Sequence, residues 1–292
     1  MKNRSIKCVD SAFKINMGGI ILDQALPSHE IDQIDPFLLI HHWYNKYPGG
    51  KKPSELGVGP HPHRGFSPVT FIFKGAVHHR DTMGNSMVTP AGGTQWMNSG
   101  SGLIHSERPS REIAETGGEF EIIQFWVNSP AARKMDAPEY TSKTAEETAG
   151  YVSDDGKVNV MVIAGEQRGI AGGFSPKSDL LIMRMDFETG GVLEIDIPEN
   201  YSALTYQLEG KTAINGTIES VTKSMVQYNN DGHTISVKAL EKTRMILLSG
   251  KPIGEKVRSY GPFVMNEDDE LRKAVSDFQT GKMGVLTEIF SD

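Results

Sequence analysis

The segment Gly59–Phe66 reads GPHPHRGF, and it carries two histidines, His61 and His63, one residue apart. In a β-strand, residues two apart point to the same face. The two imidazoles can therefore be directed toward one point. Glycines flank the pair and indicate turns at both ends of the strand. This pattern predicts a short strand of a β-barrel with two potential metal ligands on its inner face.

The segment Gly102–Pro109, GLIHSERP, repeats this spacing with His105 and Glu107. Leu103 has the same parity as these two residues, which indicates that they share the inward face of their strand. If the two segments form neighbouring strands of one barrel, three imidazoles and a carboxylate converge on its interior.

A buried histidine by itself is more often a hydrogen-bonded structural residue than a metal ligand. Two ligand pairs at strand spacing reverse that expectation, because burying three imidazoles and a carboxylate without a metal is costly. The residues therefore predict one divalent metal ion per chain. Histidine and carboxylate ligands are compatible with iron, manganese, nickel, copper and zinc, and intrinsic affinity favours copper over iron.

The segments around these two motifs read as short β-strands. Val69–Phe73 is β-branched and aromatic and ends at a Lys-Gly pair, and Glu121–Val127 ends at Asn-Ser-Pro. Long amphipathic helical patterns are nearly absent from the first half. Many short strands with glycine-rich turns predict an all-β barrel or sandwich.

The second half of the chain echoes the first. The stretch Phe71–Gly75 (FIFKG) resembles Tyr206–Gly210 (YQLEG), since each is a strand that ends in a charged residue and a glycine. A polar stretch, residues 133–150, lies between the halves. We expect a duplicated barrel, with an N-terminal barrel at residues 1–140, a connector and first strands at 141–180, and a C-terminal barrel at 181–292.

A helix is predicted near the end of the chain. Asn266 can cap it, and the acidic residues that follow suit the positive end of a helix dipole. The apolar stripe of this helix consists of Leu271, Ala274, Val275 and Phe278, and Gly281 ends it.

The composition excludes several classes of protein. The chain has 292 residues and a formal net charge of -7. It lacks a basic cluster of the kind that nucleic acid binding requires, so we expect no direct nucleic acid contact. A single cysteine excludes an internal disulfide framework. Neither a signal peptide nor an apolar run of the ~20 residues that a membrane span needs is recognisable, which predicts a cytoplasmic protein. We expect the protein to be a monomer.

Several motifs together closely resemble the pirin family of the cupin superfamily. They are PHPHRGF (60–66), GAVHHRDTMGNS (75–86), QWMNSGSGLIHSERP (95–109), QFWVNSP (124–130) and GPFVMN (261–266). The match runs from about residue 35 to residue 284. It implies an all-β bicupin of two tandem cupin-type barrels with a short C-terminal helix, and an iron-type site in the N-terminal barrel only.

The resemblance assigns the metal ligands to His61, His63, His105 and Glu107. Many cupins take their glutamate ligand from a position just after the first histidine pair, but Ser67 and Pro68 follow here. The carboxylate is therefore expected from Glu107, as in the pirin pattern. In the C-terminal barrel, counting back from Gly210 as from Gly75 places Asp196 and Pro198 at the positions of the first two histidines, so no metal is expected there.

Three residues are candidates for roles beside the metal. Glu107 could act as a general base that accepts a substrate hydroxyl proton. Arg64 could bind an anionic substrate or pair with a carboxylate. Gln124 alternates with apolar neighbours and could reach the barrel interior.

Two functions from different classes follow from the resemblance. The first is a metal-dependent dioxygenase, most simply with Fe(II), that uses O₂ to cleave a flavonol such as quercetin at its 2,3 bond. The second is an iron-dependent redox-sensing regulator that binds a protein partner as a transcriptional or metabolic co-regulator. A third alternative is a metal that only stabilises the barrel.

Overall fold

The protein is described here by a computed structural model that covers residues 2–290. Strands dominate it, and its two α-helices among these residues are short, which confirms the predicted all-β class. Within the same range, no helix has the length and hydrophobicity that a membrane crossing requires.

The strands of the first half follow one another with few interruptions. They are β1 (Ile6–Ser11), β2 (Phe13–Met17), β3 (Ile20–Leu26), β4 (Phe37–Tyr47), β5 (Val58–His63), β6 (Phe66–Lys74), β7 (Ala76–Asp81), β8 (Ser86–Pro90), β9 (Thr94–Asn98), β10 (Leu103–Pro109), β11 (Gly118–Asn128) and β12 (Glu139–Lys143). A short helix, α1 (Arg111–Thr116), lies between β10 and β11. Two 3₁₀ helices span Pro53–Glu55 and Ala131–Arg133.

The second half continues the pattern and ends in a longer helix. Its strands are β13 (Gly150–Val152), β14 (Val158–Ala164), β15 (Glu166–Gln167), β16 (Ile170–Ala171), β17 (Leu180–Phe187), β18 (Val192–Asp196), β19 (Ser202–Glu209), β20 (Lys211–Ile214), β21 (Ile218–Val221), β22 (Ser224–Tyr228), β23 (Thr234–Ala239), β24 (Thr243–Gly250), β25 (Arg258–Tyr260) and β26 (Phe263–Met265). The helix is α2 (Asp268–Gln279).

The described residues form two compact units, each assembled from three stretches of chain. We call residues 16–22, 40–145 and 254–290 the N-barrel, and residues 2–15, 23–39 and 146–253 the C-barrel. The units are therefore interleaved along the chain, unlike the linear division predicted from the sequence. Strand pairing explains why the first residues of the chain belong to the C-barrel, because β1 pairs with β22. Packing explains why the last residues belong to the N-barrel, because Leu271 and Ala274 of α2 are buried with Ile104 of β10.

The same arrangement of sheets occurs twice. One seven-stranded sheet has the order β12-β9-β6-β11-β4-β3-β2, and the other has β1-β22-β19-β24-β17-β14-β13. The four-stranded sheets have the orders β5-β10-β7-β8 in the N-barrel and β18-β23-β20-β21 in the C-barrel. The two similar strand–glycine stretches that predicted the duplication lie at matching places in the two seven-stranded sheets. Strands β6 and β19 are each third in their sheet, and each ends at a glycine with positive φ, Gly75 and Gly210. The duplication of the barrel is confirmed.

Helix α2 begins one residue later than predicted. Glu267, not Asn266, is its N-cap, and it forms a capping box with Glu270. The reason is that the Glu270 carboxylate accepts hydrogen bonds from the backbone N–H groups of both residues 266 and 267. Gly281 has a positive φ just beyond the helix, at the predicted end.

Candidate metal centre

Three histidines meet inside the N-barrel. Strand β5 pairs antiparallel with β10, which places His61 directly opposite His105 and His63 opposite Leu103. One ligand atom from each of the three histidines lies within 4.8 Å of the others, so the cluster could hold a metal ion. The proximity follows from the spacing in the sequence, because the two histidines of β5 share a face and meet the inward face of β10.

The hydrogen bonds of these histidines leave nitrogen lone pairs for a ligand. His61 Nδ1 lies 2.8 Å from the Gly59 carbonyl, and His63 Nδ1 lies 3.3 Å from the Pro262 carbonyl. Carbonyl partners fix Nδ1 as the protonated nitrogen and leave Nε2 as an acceptor. Within residues 2–290, the buried His63 Nε2 and both ring nitrogens of His105 have no hydrogen-bond partner. Orphaned buried nitrogens of this kind fit a metal centre.

The protonation of the cluster also suits a metal. Burial lowers the pKa of His63 and of His105 well below the ordinary histidine value, and the neighbouring His61 lowers both further. The two imidazoles are therefore neutral near pH 7. Neutral imidazole is the form that binds metals.

Glu107 lies two residues beyond His105 on β10, but its carboxylate is held in a different way. The donor atoms grouped within 4.8 Å are those of the three histidines alone. The register of β10 against β5 shifts between His105 and Glu107, and such a bulge changes the direction of a side chain. Thr70 Oγ1 donates to Glu107 Oε1 at 3.1 Å, and Gln124 Nε2 donates to Oε2 at 2.7 Å. Its predicted role as a ligand stays a prediction.

A mainly apolar cavity of about 40 Å³ adjoins Glu107. Its lining consists of Met17, Leu22, His41, Trp43, Val58, Val77, Glu107, Phe120, Ile122 and Gln124. The predicted position of Gln124, facing the barrel interior, agrees with this lining. Its amide also accepts a hydrogen bond from Trp126 Nε1 at 3.3 Å, which fixes its orientation.

Two further histidines lie in this region. His41 lines the cavity, and burial lowers its pKa to about 4. Its parity with Trp43 on β4 could have indicated the shared face. His79 stacks on Tyr140 with 3.8 Å between ring centroids, and its Nε2 lies 2.9 Å from Asp81 Oδ2. His79 is a buried neighbour of the cluster, with 5.4 Å between its ring centroid and that of His105.

Arg64 lies outside the lining of the cavity. Its Nη1 donates to Asp277 Oδ2 of α2 at 3.0 Å, and its Nε donates to the Ser101 carbonyl at 2.7 Å. The side chain is only 4% exposed. Of the two roles considered for Arg64, the geometry therefore favours pairing with a carboxylate over binding an anionic substrate.

The C-barrel has aliphatic side chains at the corresponding positions. Ile195 lies opposite Ile235, just as His61 lies opposite His105. The backbone N–H of Ile197 donates to the His233 carbonyl, and this contact corresponds to the pairing of His63 with Leu103. Val237 lies opposite Ile214, as Glu107 lies opposite His79. The four ligand positions thus correspond to Ile195, Ile197, Ile235 and Val237, all of which belong to one buried hydrophobic cluster.

The alignment with Asp196 and Pro198, obtained by counting back from Gly210, was wrong by one residue. The stretch from Ile195 to Gly210 is one residue longer than the stretch from His61 to Gly75. A one-residue slip moves a side chain to the opposite face of a strand. Strand pairing sets the correspondence, and a count of residues cannot reveal it.

Comparisons with known proteins agree with this fold. The family model for pirin matches residues 19–127, and the model for the pirin C-terminal cupin domain matches residues 182–284. A pirin-like protein of Caulobacter vibrioides is 34% identical over 268 residues, which cover 90% of this chain and 93% of the relative.

Two solved structures are also similar. A quercetin 2,3-dioxygenase from Acinetobacter baumannii is 32% identical, with a TM-score of 0.90 over 98% of this chain and 100% of the other. The bacterial pirin YhhW from Escherichia coli, solved in complex with nickel(II), shares the fold at 19% identity, with a TM-score of 0.67 over 84% of this chain and 99% of the other. With family models matching both halves and a relative that aligns along nearly its whole length, this chain belongs to the pirin family.

Proposed function

We propose that this protein is a metal-dependent dioxygenase that cleaves a flavonol such as quercetin at the 2,3 bond, with one Fe(II) ion as the first candidate metal. The observation that carries the proposal is the cluster of three imidazoles beside an apolar cavity, two of which, His63 and His105, have buried unpartnered nitrogens. The similarity to a quercetin 2,3-dioxygenase over nearly the whole chain supports the choice of substrate.

The residues to hold the metal are His61, His63 and His105, with Glu107 as the fourth ligand. A redox-active divalent ion supplies Lewis acidity and the electron exchange that dioxygen chemistry requires. Nickel, manganese, copper and zinc are the other candidates. One observation supports nickel as a candidate, because the E. coli pirin was solved with nickel(II).

Glu107 is the residue to receive the proton of the flavonol hydroxyl. It is the acidic side chain in the lining of the cavity. The hydrogen bonds from Thr70 and Gln124 hold its two oxygens in place, so little reorganisation is needed when it accepts a proton. Loss of the proton makes the flavonol an anion, which is the form that donates electron density most readily.

The walls of the cavity are mainly apolar, which suits an aromatic molecule. Trp43, Phe120 and Ile122 are among the apolar residues of its lining. A cavity of about 40 Å³ is smaller than the flavonol, since ligand pockets usually exceed ~300 Å³. Binding therefore requires the wall to move. Met17, an unbranched side chain that is 39% exposed, is suited to swing outward.

The test is a turnover assay with metal-loaded protein. Samples loaded separately with Fe(II), Mn(II), Ni(II) or Cu(II) are mixed with quercetin in air, and the flavonol absorbance is followed. We expect at least one metal to support loss of the absorbance, and His105→Ala to abolish it. The matched control is His233→Ala, which removes an exposed imidazole of the C-barrel. Folded, loaded protein that leaves quercetin intact with all four metals would sink the proposal.

A further inference from the structure

Three arginines of the N-barrel converge on a second site, away from the cavity. Arg80 comes from β7, Arg108 from β10 and Arg111 from the first position of α1. We call the surface formed by these three residues the arginine cleft. It shares no lining residue with the apolar cavity. Lys51 and Lys52 extend it on one side. Glu112 and Glu115 also line it, but basic side chains outnumber acidic ones there, although the chain has a net charge of -7.

The cleft is occupied by a segment of the same chain, residues 284–290, which we call the tail segment. Arg108 Nε and Nη2 each donate to one Glu288 carboxylate oxygen, both at 2.6 Å. The Phe290 ring lies 4.8 Å from the Arg80 guanidinium carbon and 5.5 Å from that of Arg108. Arg111 donates to the Phe290 carbonyl. A carboxylate in a two-pronged arginine contact and a ring against two guanidinium groups are specific recognition geometries.

The tail segment is held by side-chain contacts: those of Glu288 and Phe290, and that of Leu286, which packs against the buried cluster around Ile104 and Phe263. In the part of the chain that the structure describes, no backbone–backbone hydrogen bond joins residues 285–290 to the rest of the barrel. Val285 is 82% exposed and Ile289 is 68% exposed, so alternate residues of the segment face solvent. A segment with so few backbone contacts belongs to the least stable part of a fold and can leave its site by local opening.

The cleft has open space and a hydrogen-bond donor that the tail segment does not use. Open clefts of about 490 Å³ and 570 Å³ flank the Phe290 ring. Arg80 is 8% exposed, and its Nη1 is a buried donor for which residues 2–290 provide no hydrogen-bond partner. The other terminal nitrogen, Nη2, lies 3.1 Å from His78 Nδ1. A buried charged donor of this kind is costly unless a ligand satisfies it.

We propose that the arginine cleft is a docking site for a segment of a partner protein that carries an acidic residue followed two positions later by an aromatic residue. The tail segment is a competitor with this same pattern, Glu288 and Phe290, and it keeps the cleft closed until a partner displaces it. In an extended peptide, residues two apart point to the same side, so one segment can fill the arginine fork and the ring site together.

The observed contacts favour a protein segment over a nucleic acid. The bound group is a carboxylate whose two oxygens match the fork of Arg108, and the aromatic ring follows at the spacing of an extended peptide. Docking here is independent of the proposed metal chemistry, because the cleft and the cavity have separate linings. It does supply the partner surface that a regulatory function would need.

The experiment measures binding of a fluorescent peptide, GVLTEIF, whose sequence is that of residues 284–290. It is titrated by anisotropy into the full chain and into the full-chain variant E288Q/F290A. We expect the variant to bind the peptide about tenfold more tightly or better, because its own tail segment no longer competes. A control peptide, GVLTQIA, should bind neither protein.

Two further variants locate the binding site. Arg108→Met, added to E288Q/F290A, should abolish binding of the peptide, but Arg108 also donates to the carbonyls of Ser54 and Leu56 and its loss can unfold the barrel. Arg80→Gln, added to the same variant, leaves the contacts of Arg108 in place. It should weaken binding of the peptide by about tenfold, which is the effect of losing one good charged contact. The proposal is overturned by folded E288Q/F290A protein that does not bind the peptide, by equal binding to both proteins, or by binding that Arg80→Gln leaves unchanged.

Discussion

The two barrels have the same sheet order but opposite interiors at four matching positions. The N-barrel has His61, His63, His105 and Glu107 where the C-barrel has Ile195, Ile197, Ile235 and Val237. The C-barrel shows that the strands pair and close without any polar group at these positions. The fold therefore does not depend on the site, and the site is a replacement of core residues on one copy of a duplicated scaffold.

The replacement has an energetic consequence. Each aliphatic side chain buried in the C-barrel contributes about 1.5–3 kcal/mol relative to an exposed one. The N-barrel forgoes this contribution and instead buries nitrogens that lack partners among the described residues. A metal bound by the cluster would offset the loss, since its binding free energy would add to the stability of the folded state. The stability of the N-barrel should therefore depend on metal, and that of the C-barrel should not.

The largest effect is expected when the N-barrel is given the interior of the C-barrel. In the triple variant His61→Ile, His63→Ile, His105→Ile, we expect metal content by plasma mass spectrometry to fall to background and quercetin turnover to vanish. The metal-free protein should melt at the same temperature as metal-free wild type or higher, because apolar residues of similar volume replace three imidazoles, two of which have unpaired buried nitrogens.

Chelation provides the control for this variant. EDTA should lower the melting temperature of wild type and leave that of the triple variant unchanged. A triple variant that still holds one metal per chain would show that the three histidines are not the ligands. A metal-free variant much less stable than metal-free wild type would show that the imidazoles stabilise the barrel by themselves.

The reverse change should be the next largest in effect. Ile235→His places one imidazole in the apolar core of the C-barrel, where no second histidine is available from the opposite strand. We expect a loss of about 2–4 kcal/mol in the free energy of unfolding, from lost apolar burial and an unsatisfied ring nitrogen. Urea denaturation measures the loss, and metal content should stay at the wild-type value. Ile235→Val is the matched control, with an expected loss of about 1 kcal/mol.

Glu107→Gln distinguishes the role of metal ligand from the role of general base, at the position where the barrels differ in charge. If the carboxylate is a ligand, metal affinity should fall about tenfold to a hundredfold, as losses around metal centres commonly do, and turnover should fall with it. If it is only the base, turnover should fall while metal content holds. Competition with a fluorescent chelator measures affinity, and Glu115→Gln, an exposed carboxylate of α1, is the control. Unchanged affinity and turnover together would remove Glu107 from the site.

Much of this comparison was predictable from the sequence. The spacing of His61 with His63, and of His105 with Glu107, predicted which side chains share a face, because a strand alternates with a period of two. The two strand–glycine stretches that end at Gly75 and Gly210 predicted the duplication. These signals are local, so they do not depend on which strands become neighbours.

The features that the sequence did not predict depend on long-range pairing. The bulge between His105 and Glu107 and the one-residue difference before Gly210 arise from the register between strands, which no local pattern fixes. The interleaving of the two units has the same cause, since β1 pairs with β22 across most of the chain. His41 was not assigned a role in the site, because that role depends on a cavity formed by residues from several strands.

The smallest expected effect concerns helix α2, which packs against strands of the N-barrel. Asp277 joins it to Arg64, the residue after His63, and accepts from Lys282 Nζ at 2.8 Å. The hydrogen bond from Lys282 and the ion pair with Arg64 lower the pKa of Asp277 to about 2. A carboxylate with a lowered pKa stabilises the folded state above its unfolded pKa, near 4, and this contribution disappears as the pH falls through about 2.

We therefore expect Asp277→Asn to lower the melting temperature by a few degrees at pH 6, and the difference from wild type to shrink steadily between pH 4 and pH 2. Asp269→Asn, at an exposed position of the same helix, should show a smaller difference. A difference that stays constant down to pH 2 would mean that the shape of the Asp277 side chain, and not its charge, holds the helix in place.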